Sequence, residues 1–101
     1  MNRTDSQRYA QFAARFGEVS FKGVSYALIS QAAPTDRLFG GGWSDAAEGE
    51  AYTAEYSAAA MGQDGEEYVV RWQFEMVRGQ EPEDGADLPC DWTKPSEVIP
   101  A

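Results

Sequence analysis

Between Glu67 and Val77, the run EYVVRWQFEMV places Tyr68, Val70, Trp72, Phe74 and Met76 on one parity and Glu67, Arg71, Gln73 and Glu75 on the other. A period of two sustained over that length predicts a strand with one face on a core. The preceding run, GEAYTAEYSAAAM, repeats the pattern with Tyr52, Ala54, Tyr56 and Ala58 set against Thr53, Glu55 and Ser57. The intervening GQDG supplies turn residues, so the two runs read as a hairpin. An alanine-rich helix is the competing reading of the first run.

Near the N-terminus the period changes. In TDSQRYAQFAARFG, Tyr9, Phe12, Ala13 and Phe16 recur at the spacing of one helical face. Thr4 is the candidate N-cap, with Gln7 three positions on, and Gly17 is the candidate stop. The apolar face is expected on a sheet, and Arg8, Gln11 and Arg15 on the solvent side.

In EVSFKGVSYALISQAAP, Val19 and Phe21 alternate, Gly23 interrupts, and Val24, Tyr26 and Leu28 resume. A bulge or tight turn at the glycine accounts for the shift. A helix over 24–33 competes, since Val24, Ala27, Leu28 and Gln31 also share a helical face; the β-branched and aromatic content favours strand. Pro34 is expected to end the element. Residues 34–49 read as a loop with Gly40, Gly41 and Gly42 beside Trp43, a lid or a plain connection but not a phosphate loop, because GK[ST] is missing.

The expected fold is α+β: one N-terminal helix on a small antiparallel sheet of about three strands, in the order α-β-β-β. A single domain covers 1–78, and 79–101 form an extended, acidic tail in which Pro82, Gly85 and Pro89 prevent a regular element over 79–91. In that tail Trp92 either folds back onto the sheet or anchors a partner. The length of 101 residues allows one core only.

Charge changes this picture. Eight basic and seventeen acidic residues give −9. Up to Arg37 five basic residues face three acidic, net +2; beyond it three face fourteen, net −11. A field of that sign repels nucleic acid and anionic membrane and steers toward basic protein surfaces. The N-terminus lacks the apolar core of a secretion signal, and no apolar run reaches the ~20 residues of a membrane span, so residence in the cytoplasm is expected.

The available chemistry is narrow. Histidine is absent, and the one cysteine, Cys90, has Asp87 and Asp91 as neighbours, which raise its pKa and make it a poor nucleophile. One cysteine and no histidine do not make a zinc site, and the carboxylates do not follow an EF-hand spacing. No catalytic residues, metal or cofactor are therefore expected. What remains is a surface in three acidic patches: Asp45, Glu48 and Glu50 before the hairpin; Asp64, Glu66 and Glu67 at its turn; Glu81, Glu83, Asp84, Asp87 and Asp91 after it. Such an array imitates the charge density of a nucleic-acid backbone, about one charge per 3.4 Å of each strand. Trp43 and Trp92 are the candidate apolar anchors.

In size, acidity, missing histidine and lack of a catalytic motif, the chain resembles the small inhibitors that phages and mobile elements deploy against bacterial defence, anti-CRISPR proteins among them. The resemblance implies a non-catalytic inhibitor in the host cytoplasm that occludes a basic, nucleic-acid-binding surface of a larger protein such as a CRISPR effector. Two other readings stand beside it. One is a small-molecule-binding module with a pocket between helix and sheet, gated by Gly40–Gly42 and lined by Tyr26, Tyr52, Tyr56 and Trp72. The other is an accessory subunit or homodimer that pairs through an edge strand.

Overall fold

The computed structural model describes residues 3–35, 46–84 and 87–101. Helix α1 (Arg3–Phe16) comes first, as its period predicts. Gly17 closes it with a positive φ of 101° and an N–H that donates to the Ala13 carbonyl at 3.0 Å. The helix already includes Arg3, so Thr4 lies inside the first turn and is not the cap. Tyr9, Phe12, Ala13 and Phe16 are half-buried, whereas Arg8, Gln11 and Arg15 are exposed. The helix packs along strand β2.

The segment after Gly17 is two strands, β1 (Glu18–Phe21) and β2 (Val24–Leu28), joined at Lys22 and Gly23. Both turn residues have positive φ, 52° and 79°, the signature of a type I′ hairpin turn. The glycine interruption is thus a tight turn, and the strand reading of 24–28 holds over the helical one. Leu28, not Pro34, ends the element. Pro34 belongs to a two-residue strand, β3 (Ala33–Pro34), which pairs with β4 (Ala51–Gly62) opposite Ser57 and Tyr56. So short an edge strand tolerates a residue without an N–H.

Strand β4 and β5 (Glu67–Val77) form the expected long hairpin, in register from Ala51 opposite Val77 to Met61 opposite Glu67. A sixth strand, β6 (Glu97–Pro100), lies in the tail and pairs antiparallel with β5, Val70 opposite Val98. Among the described residues the sheet therefore has six strands where three were expected, ordered β1-β2-β4-β5-β6 with β3 on β4. The miscount has three causes: the Lys22–Gly23 turn divides one apolar run into two strands, and both β3, with two residues, and the EVIP run of β6, with four, are too short to show a period.

The even-numbered residues of β4 and β5 make the core. Ala58, Ala60, Val70 and Trp72 are buried together with Val19 and Leu28, and Phe16, Cys90, Trp92 and Val98 pack onto them. A second cluster of Ala46, Tyr52 and Met76, with Leu88 against it, occupies the far end of the hairpin. The tail covers this face. Trp92 sets its ring against Tyr56, Trp72 and Phe74, with centroids 5.5, 5.3 and 6.2 Å away. The Ser20 N–H donates to the Thr93 carbonyl and the Ser96 N–H to the Arg71 carbonyl, so these four residues tie the β1 edge to the β5 edge.

Two odd-numbered residues of β4, Met61 and Glu55, depart from the alternation. Glu55, expected on the solvated face, is 3% exposed. Its carboxylate accepts from the Thr35 hydroxyl and from Gln73 Nε2, each at 2.7 Å, and its carbonyl accepts from the Thr35 N–H. The chain returning along β3 puts Thr35 over it.

Candidate protein-binding surface

The hairpin separates the acidic patches. With twelve residues in β4 at about 3.3 Å each, its ends stand about 40 Å apart. At one end the Gly49 N–H donates to the Arg78 carbonyl and the Arg78 N–H to that of Glu50, which brings Glu48 and Glu50 beside the start of the tail. At the other end Asp64, Glu66 and Glu67 surround the turn.

Within the turn, the Gly62 N–H donates to the Glu66 carbonyl. Asp64 accepts from the Tyr68 hydroxyl at 2.7 Å through one oxygen and from the Glu66 N–H at 3.0 Å through the other. These two bonds, Tyr68 first, hold the Asp64 carboxyl below its usual range. Glu66 and Glu67 are exposed. Asp5 also belongs here: its carboxylate sits against Gly65, so close that a Cβ on that glycine would lie 2.8 Å from it. Nothing in the local sequence ties Asp5 to the turn, because the docking of α1 brings it there.

At the opposite end Glu81 is half-buried and bound twice, by the Tyr52 hydroxyl at 2.9 Å and the Gly79 N–H at 2.8 Å. Its carboxyl is pulled down, first by a hydrogen bond from its own backbone N–H and then by Tyr52. Glu48 lies against Gly79. Glu83, Asp84 and Asp87 are exposed along the following stretch. Asp91 caps a turn, accepting from the Thr93 hydroxyl at 2.6 Å and its N–H at 3.0 Å, and these lower its pKa. Trp92 is half-buried in the aromatic cluster, the first of its two expected placements. Trp43, Asp45 and the Gly40–Gly42 loop lie outside the described residues.

The hairpin thus brings Glu48 and Glu50 beside Glu81 at one end, holds Asp64, Glu66 and Glu67 at the other, and leaves Asp91 beside Trp92 over the middle of the sheet. Ion pairs join Arg8 to Asp5 at 4.0 Å and Arg71 to Glu97 at 3.1 Å. Among the described residues no three potential metal ligands converge. Cys90 is half-buried, and its thiol is raised first by burial and then by Asp91, in the direction its neighbours predict.

The pocket proposed from the aromatics takes another form. Trp72 is 1% exposed, Tyr52 is hydrogen-bonded to Glu81, Tyr26 packs edge-on against Tyr68 at 5.0 Å, and Tyr56 packs between Phe74 and Trp92. These four residues fill the core. Open grooves flank the hairpin, among them one of about 540 Å³ near Met76 and Pro82 and one of about 400 Å³ near Arg8 and Glu66. Neither is lined by any of the four.

No protein-family model, curated protein or solved structure matches the chain. No helix among the described residues is long and apolar enough to cross a membrane.

Proposed function

We propose that the chain is a non-catalytic inhibitor that occupies a basic, nucleic-acid-binding surface of a larger protein, as the anti-CRISPR proteins it resembles do. The observation that carries this reading is the fixing of Asp64, Glu81 and Asp91 by Tyr68, Tyr52 and Thr93, which holds the three carboxylates in place and keeps them ionised. A pre-positioned anionic array costs little to order on binding and accelerates encounter with a cationic groove. Glu48, Glu50, Glu66, Glu67, Glu83, Asp84 and Asp87 extend the array at the two ends of the hairpin.

The experiment is affinity capture from host lysate at low and high salt, with the wild-type chain beside Glu66→Gln/Glu67→Gln and Glu83→Gln/Asp84→Asn variants. These exposed positions spare the core, whereas cutting the chain after Arg78 would remove Trp92 and β6 from it. The expected result is a nucleic-acid-binding protein recovered at low salt, lost at high salt, depleted by the variants, and displaced by added duplex. Capture indifferent to salt and to duplex would overturn the charge mechanism.

A further inference from the structure

Strand β6 covers only part of the β5 edge. Their pairing runs from Tyr68 opposite Pro100 to Arg71 opposite Glu97, after which the tail leaves toward Thr93 and β1. Even-numbered residues of β5 point their backbone groups at β4, as the Arg78 N–H bond to Glu50 illustrates one residue past the strand. Odd-numbered residues therefore point outward. Gln73 is satisfied there by the Ser96 hydroxyl, and the Val77 carbonyl by the Gln80 N–H. The N–H and C=O of Glu75 and the N–H of Val77 have no strand partner among the described residues on that side.

The 540 Å³ groove lies along this same unpaired stretch. Ala51, Met76, Val77, Pro82 and Pro89 form its apolar lining, and Glu75 and Gln80 its polar part. The prolines lack an N–H and so cannot donate to the Glu75 carbonyl. The surroundings are anionic: Glu75 is exposed at the groove, Glu50 precedes Ala51, Glu81 and Glu83 flank Pro82, and the nearby Arg78 is turned toward the Ala46 carbonyl.

We infer that the β5 edge at Glu75–Val77 and the adjoining groove take an extended segment of a partner protein with alternating basic and apolar residues. The inference rests on the proposed function and specifies how the partner is held. A strand added to β5 would bond Glu75 and Val77 through its backbone, seat its apolar side chains on the Met76 face, and direct its basic ones to the opposite face, toward Glu75. Charge decides against a second copy as occupant: it would bring an identical acidic edge on a chain of net −9.

Two probes of equal charge test this, a peptide of alternating lysine and valine and one of alternating lysine and glycine, titrated into the isotope-labelled full chain. The lysine–valine peptide is expected to bind about tenfold more tightly, as a few net hydrogen bonds and apolar contacts allow. Its binding is expected to slow amide exchange at Glu75 and Val77, a readout that needs no variant. Val77→Pro removes an outward N–H without touching the β4 ladder and is expected to abolish the preference. Equal, salt-sensitive binding of both peptides with no protection at Glu75 or Val77 would overturn the edge site and leave the charge-based function standing. Failure of both peptides at low salt would overturn both. Self-association of the wild-type chain that Val77→Pro abolishes would overturn the assignment of a basic partner.

Discussion

Trp72 donates its indole N–H to the backbone carbonyl of Trp92 at 3.0 Å, with the two rings edge-on at 68°. They stand twenty positions apart in the chain, so this bond and ring contact join the β6 pairing and the Ser20–Thr93 bond in fastening the tail to the sheet. Trp92→Ala is expected to lower unfolding free energy by about 3 kcal/mol, the usual result of removing a large aromatic from a packed site. Trp92→Phe should cost far less, because the accepting group is the backbone carbonyl and survives the change. Denaturant midpoints of the two variants check this; equal midpoints for Trp92→Ala and wild type would mean that the Trp92 ring does not help to fasten the tail.

The carboxylate of Glu55 holds Thr35 and Gln73 together across three segments of chain. Hydrogen bonds to a charged acceptor are the stronger kind, so Glu55→Ala is expected to cost about 2–3 kcal/mol. Glu55→Gln should fall between, because one oxygen is retained and the exposed Gln73 amide can rotate to accept from the new one. Midpoints that rank alanine level with wild type would show that the burial is not supported by these bonds.

At the β1–β2 turn, Gly23 has φ of 79° and a Cβ placed there meets nothing within 4 Å. The cost of a substitution is therefore conformational alone. Gly23→Ala is expected to destabilise by about 1 kcal/mol and Gly23→Asn by less, since asparagine enters the left-handed region more readily. Thermal melts of the pair separate backbone strain from a clash: if asparagine cost more than alanine, side-chain volume would be the cause.

Local period was enough to read α1 and the β4–β5 hairpin, because fourteen and twelve residues give an apolar face time to repeat. It was not enough for β3 and β6. Two and four residues carry no period, and both exist because a longer neighbour offers them a partner. Burial of Glu55 was invisible for the same reason: β3 brings Thr35 over a position that alternation assigns to solvent. The acidic patches were legible as clusters in sequence, and the separation of Glu48 and Glu50 from Asp64, Glu66 and Glu67 followed from the register of the hairpin. What sequence could not show was the hydroxyl partner of each fixed carboxylate, Tyr68 for Asp64 and Tyr52 for Glu81, or the arrival of Asp5 at the turn.

Those tyrosine–carboxylate pairs carry a pH dependence with two limbs. The Tyr68 hydroxyl is pushed up to about 12, first by its bond to Asp64 and then by burial, and that of Tyr52 to about 12, first by burial and then by Glu81. A folded value above the unfolded one of about 10 means stability fully present below that pH and lost as pH rises through the folded value. The carboxyls move the other way. Asp64, Glu81 and Asp91 titrate below their usual values, so their contribution is present above about pH 4 and is lost as pH falls through the lower folded values. Tyr68→Phe is expected to return the Asp64 carboxyl toward its ordinary value while leaving Glu81 unchanged, as read by carboxyl chemical shifts during an acid titration. The same variant should lose the anionic charge of the hairpin turn at a higher pH than wild type. An Asp64 that titrates identically in both proteins would mean that the Tyr68 hydroxyl does not hold it, and would remove one of the three fixed carboxylates on which the proposed function rests.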